Sequence, residues 1–266
     1  MQGMKTNNLE SFDLKCLLES KCQQYNNPSF IATDPVSIPH RFARKEDIEI
    51  SAFLTATIAW GNRKSILANA NRLMQMMDNA PYDFIINSSL QATASPIVDF
   101  VHRTFSTDDC LYFIEALRNI YQHHGGLEAA FSEGLTPADA NVKNAISHFR
   151  DLFFELPHFH RTEKHVSNPA AGSASKRLNM FLRWMVRDDN HGVDFGLWKR
   201  IKPSQLCCPL DVHSGRTARN LGLLTRKAND WQAVEELTAN LKKYDANDPV
   251  RYDFALFGIG VFENRR

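Results

Sequence analysis

The chain has 266 residues, 43% of them hydrophobic and 23% charged, with a net charge of +1, enough sequence for one domain or two small subdomains around a substantial core. No stretch approaches the roughly 18 consecutive apolar residues of a membrane helix. The N-terminal Met1-Gln2-Gly3-Met4-Lys5-Thr6-Asn7-Asn8 lacks the apolar run of a signal peptide, so a cytoplasmic protein without a membrane partner is expected.

The charge is unevenly spread. Residues 161–227 hold 13 Lys and Arg against 5 Asp and Glu, a local balance of +8 that leaves −7 for the rest. Such asymmetry fits a basic face for phosphate backbones, and it fits a set of solvated helix faces equally well. The five cysteines, at 16, 22, 110, 207 and 208, form neither an even framework nor a Cys-x-x-Cys pair, so reduced thiols are expected. Cys207 and Cys208 read as small apolar residues leading into Pro209.

In chain order, residues 26–47, with Pro28, Pro35 and Pro39, read as an extended lead-in. Residues 48–60 are apolar nearly all round, as in a buried helix, with Gly61 as the stop. A helix over 63–78 keeps Ile66, Leu67, Leu73, Met74 and Met77 on one face. Ala80-Pro81 and Ser95-Pro96 each place proline at a first helical position, and Ser106-Thr107-Asp108-Asp109 caps a helix through Tyr121 that ends at Gly125-Gly126. Thr136-Pro137-Ala138-Asp139 is expected to open a helix carrying Val142, Ile146, Phe149, Phe153 and Phe154, closed by Pro157.

From Ser173 or its neighbours an amphipathic helix should turn Leu178, Phe181, Leu182, Met185 and Val186 inward and leave Arg177, Arg183 and Arg187 outward. The link 188–210 contains a short helix at 195–200, and a helix over 212–221 stops at Gly222. Asp230 and Asp248-Pro249 cap helices over 231–244 and 249–261. The expected fold is all-α, one unit over 1–266, and the chemistry concentrates in 171–222.

Within that segment, Gly172-Ser173-Ala174 running into a helix is expected to leave backbone N–H groups outward as an anion site, or else to be a plain helix start capped by Ser173. Lys176, one turn on, reads either as a surface lysine or as a nucleophile. Amine attack on a sugar carbon gives a Schiff base whose decay by elimination cleaves a nucleic-acid strand, and this chemistry needs a neutral amine in a confined site. Asp211 is a strong N-cap candidate. A carboxylate in that place can also stabilise positive charge on a sugar ring or accept a proton.

Gly172-Ser173-Ala174-Ser175-Lys176 followed by Pro209-Leu210-Asp211-Val212-His213 resembles the helix-hairpin-helix DNA glycosylase superfamily, most of all the 8-oxoguanine glycosylases. There a Gly-x-Gly-x-Lys hairpin leads to Val-Asp-Val-His or Val-Asp-Thr-His and then to an arginine-bearing helix ending in Leu-Gly. The resemblance implies two helical subdomains with a cleft between them, duplex DNA bent at the hairpin, and a base flipped into the cleft. It places Lys176 as the nucleophile, Asp211 as its electrostatic partner, and Gly172, Ser173, Ala174, Arg177, His213 and Arg216 on the DNA. No cofactor is implied. The helix at 48–60 and Tyr252-Asp253-Phe254-Ala255-Leu256-Phe257-Gly258-Ile259-Gly260 are similar to other helices of that fold, and the whole chain also resembles an uncharacterised bacterial family of no assigned activity. Three departures stand out: Ala174 replaces the second hairpin glycine, 35 residues separate Lys176 from Asp211, and no cysteine follows Cys208 to build an iron–sulfur loop.

The functional expectation is therefore a monomeric DNA glycosylase-like protein, with Schiff-base lyase activity at Lys176. The alternative is a non-catalytic nucleic-acid-binding module, on DNA or RNA. A metal-dependent phosphohydrolase is the third reading, resting on His158, His160 and His165 with His213. No metal site is expected, since no carboxylate at compact spacing accompanies those histidines. Trp60, Trp184, Trp198 and Trp231 read as packing groups rather than base-stacking platforms.

Overall fold

The helix richest in buried residues organises the core. In the computed structural model, which describes residues 11–87 and 96–263, α2 spans Lys45–Thr57 and buries an unbroken run from Ile48 to Thr57. Ser95 and the N-terminal stretch Met1–Asn8 lie outside the described residues. Phe53 sits among the rings of Phe113, Phe149, Phe153 and Phe181 at centroid distances of 5.4–5.9 Å, the offset and edge-on range that aromatic pairs favour. Buried Glu49 on the same helix accepts hydrogen bonds from the Trp198 indole (2.6 Å) and the Tyr121 hydroxyl (2.7 Å). Such partners are what make a buried carboxylate tolerable.

The fold is all-helical, with no strand among the described residues beyond two isolated bridges. The other helices are α1 (Ser11–Tyr25), α3 (Arg63–Met76), α4 (Pro81–Asn87), α5 (Thr107–His123), α6 (Leu127–Ser132), α7 (Lys143–Phe153), α8 (Lys176–Val186), α9 (Val212–Asn220), α10 (Trp231–Lys242) and α11 (Asp253–Gly258). α2 packs on α8, while α11 packs on α1 and α9. One continuous apolar core runs from Leu14 to Leu256. No helix among the described residues is long and apolar enough to cross a membrane.

Several expected boundaries shift, each for a local reason. The lead-in 26–47 is not extended: it forms short 3-10 turns at Pro28–Thr33, Pro35–Ser37 and Pro39–Arg41, each begun by a proline, and α2 starts at Lys45. Thr136-Pro137 opens no helix. The Asp139 carboxylate instead closes a turn on the Thr136 amide and hydroxyl, both at 2.7 Å, and α7 begins at Lys143. Segment 195–200 is not helical either, because Phe195 and Trp198 donate their amides to Trp184 and Met185 at the open end of α8 (2.7 and 2.9 Å). The last expected helix breaks into a 3-10 turn at Pro249–Tyr252, α11, and a π turn at Ile259–Glu263. Short α6 was not foreseen. The cap at Asp230 forms as expected on the Ala233 amide (3.0 Å), whereas the Asp248 side chain caps nothing and turns to Arg187.

That last contact belongs to a buried cluster of ion pairs. Arg183 and Arg187, expected outward, are 4% and 1% exposed. Arg183 bonds Asp194 (3.2 Å) and Asp253 (2.5 Å), while Arg187 meets Asp194, Asp248 and Asp189. Both guanidiniums also lie over the Phe254 ring, at 4.3 and 5.5 Å. Part of the positive balance of 161–227 is thus neutralised inside the protein.

Removing one partner of a buried ion pair leaves an uncompensated charge, which costs about 3–5 kcal/mol. Asp194→Ala is expected to lose stability in that range, read as a lower urea midpoint at unchanged slope.

Candidate functional site

Two chain segments distant in sequence meet at one place. Residues 168–175 form a tight loop in which Gly172 takes φ +88 and Ser175 takes φ +46, both left-handed. A Cβ built on Gly172 meets nothing within 4 Å, so the loop is open to solvent on that side and the glycine answers to its backbone angle. The loop is tied down from within: Gly172 donates to Pro169 O (3.0 Å), Ser173 donates to Asn168 O (3.1 Å), and Gly172 O accepts from Trp231 N (2.9 Å). The expectation of outward amides at Gly172 and Ser173 is therefore corrected, since both are already bonded. Ser173 bridges Asp230 rather than capping a helix, and Ala174 O accepts from Asn179 (3.1 Å). α8 begins directly after, at Lys176.

The second segment, Leu206–Leu210, is buried and includes Cys207 and Cys208. All five cysteines are free. Burial pushes the Cys207 and Cys208 thiols up, away from reactivity. The chain then surfaces at Asp211, which caps α9: its Oδ1 accepts from the amides of His213 (2.8 Å) and Ser214 (2.9 Å), and the Ser214 hydroxyl accepts from the Asp211 amide (2.9 Å). Asn229 holds the Asp211 carbonyl (3.2 Å). One carboxylate oxygen thus serves the helix. The other, Oδ2, lies 3.9 Å from Lys176 Nζ, and the same amine lies 3.4 Å from Met180 Sδ.

Lys176 and Asp211 share a cleft of about 730 Å³ with Asp34, Trp60, Gly61, Arg63, Arg177, Arg183, His213, Asp253 and Phe257 among its walls. Arg177 lies over Trp60 at 4.8 Å and donates to the Thr57 and Lys164 carbonyls, and burial lowers its pKa to about 10. His213 and Arg216 are exposed on α9, and Val212 between the aspartate and the histidine is 75% exposed. The connector histidines go elsewhere. His158 and His160 flank Glu163 at 3.4 and 3.0 Å, and His165 is buried against Asp109. Among the described residues no group of three His, Cys, Asp or Glu is placed to hold a metal.

Trp184, Trp198 and Trp231 are buried packing groups, but Trp60 faces the cleft. Asp34, Arg63 and Asp253 also escaped the sequence reading. Asp253 had a visible signal, an acid inside the apolar run Tyr252 to Leu256. Burial raises its pKa to about 6, with nearby Asp211 acting in the same direction and Arg183 opposing. Burial likewise raises Asp34, within electrostatic reach of Arg183, Arg63 and Lys176.

An all-helical protein with a lysine–aspartate pair in a cleft floored by buried acids is the class that this fold and site define. The chain belongs to a family of proteins of unknown function, DUF2400, whose model matches residues 34–262. The matched stretch takes in every cleft-lining residue except Phe30. Comparison with curated proteins and with solved structures found no match.

Two outcomes follow from the geometry. Serine caps a helix about as well as aspartate, so Asp211→Ser should stay within about 0.5 kcal/mol of the parent, while Asp211→Ala should lose about 1 kcal/mol, both read by urea unfolding. For Asp253, a pKa raised above the ordinary carboxyl value means that the folded state keeps a proton which the unfolded chain releases. Its contribution to stability therefore falls as pH rises from about 4 to about 6 and levels off above that. The stability of the parent relative to Asp253→Asn should decline across that window, and a flat difference would contradict the assignment.

Proposed function

We propose that this protein is a DNA-repair glycosylase-like enzyme of the helix-hairpin-helix type, with two helical subdomains flanking the cleft, which binds duplex DNA and cleaves the N-glycosidic bond of a damaged base. The observation that carries the reading is the 3.9 Å approach of the Lys176 amine to the free oxygen of the capping carboxylate on the wall of a nucleotide-sized cleft. The sequence order of lysine and aspartate supports it, as does the exposed Val212-His213-Arg216 side of α9 beside the cleft.

In this reading the base is flipped into the cleft, where Trp60 and Phe257 offer aromatic faces. The lone pair of a neutral Lys176 amine forms a bond to the sugar C1′ as the C1′–N bond breaks, and the base leaves with that electron pair and is protonated. Asp211 Oδ2 stabilises positive charge on the sugar and takes the proton that the new ammonium sheds. Ring opening gives an imine. Loss of a C2′ proton and departure of the 3′ phosphate then cleave the strand, and water releases the lysine.

The capping role supports a second reading. Asp211 and the Gly172 loop both have complete structural explanations, which is what a nucleic-acid-binding module without turnover would retain.

Borohydride reduction during incubation with a panel of lesion duplexes separates the two. The expected result is a covalent protein–DNA adduct from the parent protein, lost in Lys176→Gln. Base release should fall by at least about 100-fold in Asp211→Ser, a variant that keeps the cap. No adduct on any lesion, or one undiminished in Lys176→Gln, overturns the lyase role. Salt-sensitive binding without base release would establish the non-catalytic module.

A further inference from the structure

The corner between α2 and α3 bears arginines that have no hydrogen-bond or ion-pair partner among the described residues. The other cations on the cleft wall are already engaged: Lys176 with Asp211 and Met180, Arg177 with two carbonyls and the Trp60 ring, and Arg183 with Asp194 and Asp253. Arg63, the first residue of α3, lines the same cleft and lies over the Phe257 ring at 5.5 Å, and it makes no hydrogen bond or ion pair among the described residues. Its neighbour Gly61 takes φ +101, and a Cβ there would come within 3.0–3.2 Å of the Arg103 side chain. Arg103 therefore lies directly over Gly61. It too has no hydrogen-bond or ion-pair partner among the described residues and is exposed.

Arg103 is held where it is. His102 and Phe105 exchange both backbone hydrogen bonds at 2.9 Å, closing a tight turn with Arg103 in the left-handed region at φ +56. Buried His102 ties that turn to the corner through Asn69 (2.9 Å) and Trp60 O (3.2 Å). An arginine in a left-handed turn is unusual, because a side chain with a Cβ is disfavoured there, and among the described residues no hydrogen-bond or ion-pair partner accounts for its guanidinium.

We infer that Arg63 and Arg103 form a clamp for backbone phosphates of the nucleic acid, in which the α2–α3 corner grips the strand while Lys176 and Asp211 address the sugar. The missing side chain at Gly61 leaves room for the Arg103 guanidinium to lie against the corner that also bears Arg63, and guanidinium is the side chain best matched to phosphate. The N-terminus of α3, a 14-residue helix whose Ser65 amide is capped by the Asn62 side chain, adds favourable potential. The inference rests on the reading of the cleft as a nucleic-acid site, but not on its catalysis.

The test is fluorescence anisotropy of a labelled duplex containing a tetrahydrofuran abasic analogue, which has no aldehyde for the lysine to attack, over roughly 50–200 mM salt. Each lost phosphate contact should lower the salt slope by about 0.9. The double variant Arg63→Gln/Arg103→Gln should lose about two such contacts and at least about tenfold in affinity near 0.1 M salt, and Arg63→Lys/Arg103→Lys should recover most of it. A double glutamine variant with the affinity and slope of the parent overturns the clamp, as does a parent that fails to bind. If the parent forms no borohydride adduct while the glutamine variant loses binding, the clamp stands and the lyase reading falls. If the parent forms the adduct and the glutamine variant binds and reacts equally well, the reverse holds.

Discussion

Arg183 and Arg187 stand one turn apart on α8 and are enclosed by Asp189, Asp194, Asp248 and Asp253. Desolvated charges of this kind are tolerated only when each is matched in place. The match is between elements that no local rule brings together: α8, the link after it, and the segment that opens α11. Because Asp253 belongs both to this network and to the cleft floor, the ion cluster fixes the distance between α8 and α11 and so the width of the site above it. α9 rests on α11 in turn, which brings Asp211 up to the lysine at the start of α8.

The aspartate at the head of α9 divides its two oxygens between different tasks. Oδ1 is consumed by helix amides, which orients the carboxylate without help from the cleft, and Oδ2 is left for the lysine. A cap and an electrostatic partner are therefore one residue seen from two sides. Pre-orientation of this sort means that the group does not have to be ordered when a ligand arrives.

What was legible in the sequence was local. Asp211 and Asp230 could be read as caps because an N-cap depends on the next three residues, and the all-α fold followed from periodicity. The Lys176–Asp211 pairing came from resemblance rather than from spacing. Arg183 and Arg187 were misread because periodicity separates polar from apolar faces but says nothing of acids 7, 11, 61 or 70 positions away. Thr136-Pro137 failed for a related reason: its signal marks a side chain that closes a turn, and whether a helix follows depends on what the turn packs against. Asp34, Trp60 and Arg63 reach the cleft only through tertiary packing, so nothing in their neighbourhoods distinguished them.

The helix that bears the lysine is fastened at both ends. Its leading loop is stitched to Asp230 and Trp231, and its trailing carbonyls are taken up by Phe195 and Trp198. Between them every residue from Leu178 to Val186 is buried. Such an element opens only with the whole molecule, so its amides belong with the slowest-exchanging in the protein. The amine can swing on its own methylenes but its anchor is stationary, and any adjustment on binding falls to the ligand or to the wall formed by Gly61, Arg63 and Ile66. The site is built as an anvil, to which any ligand must be carried.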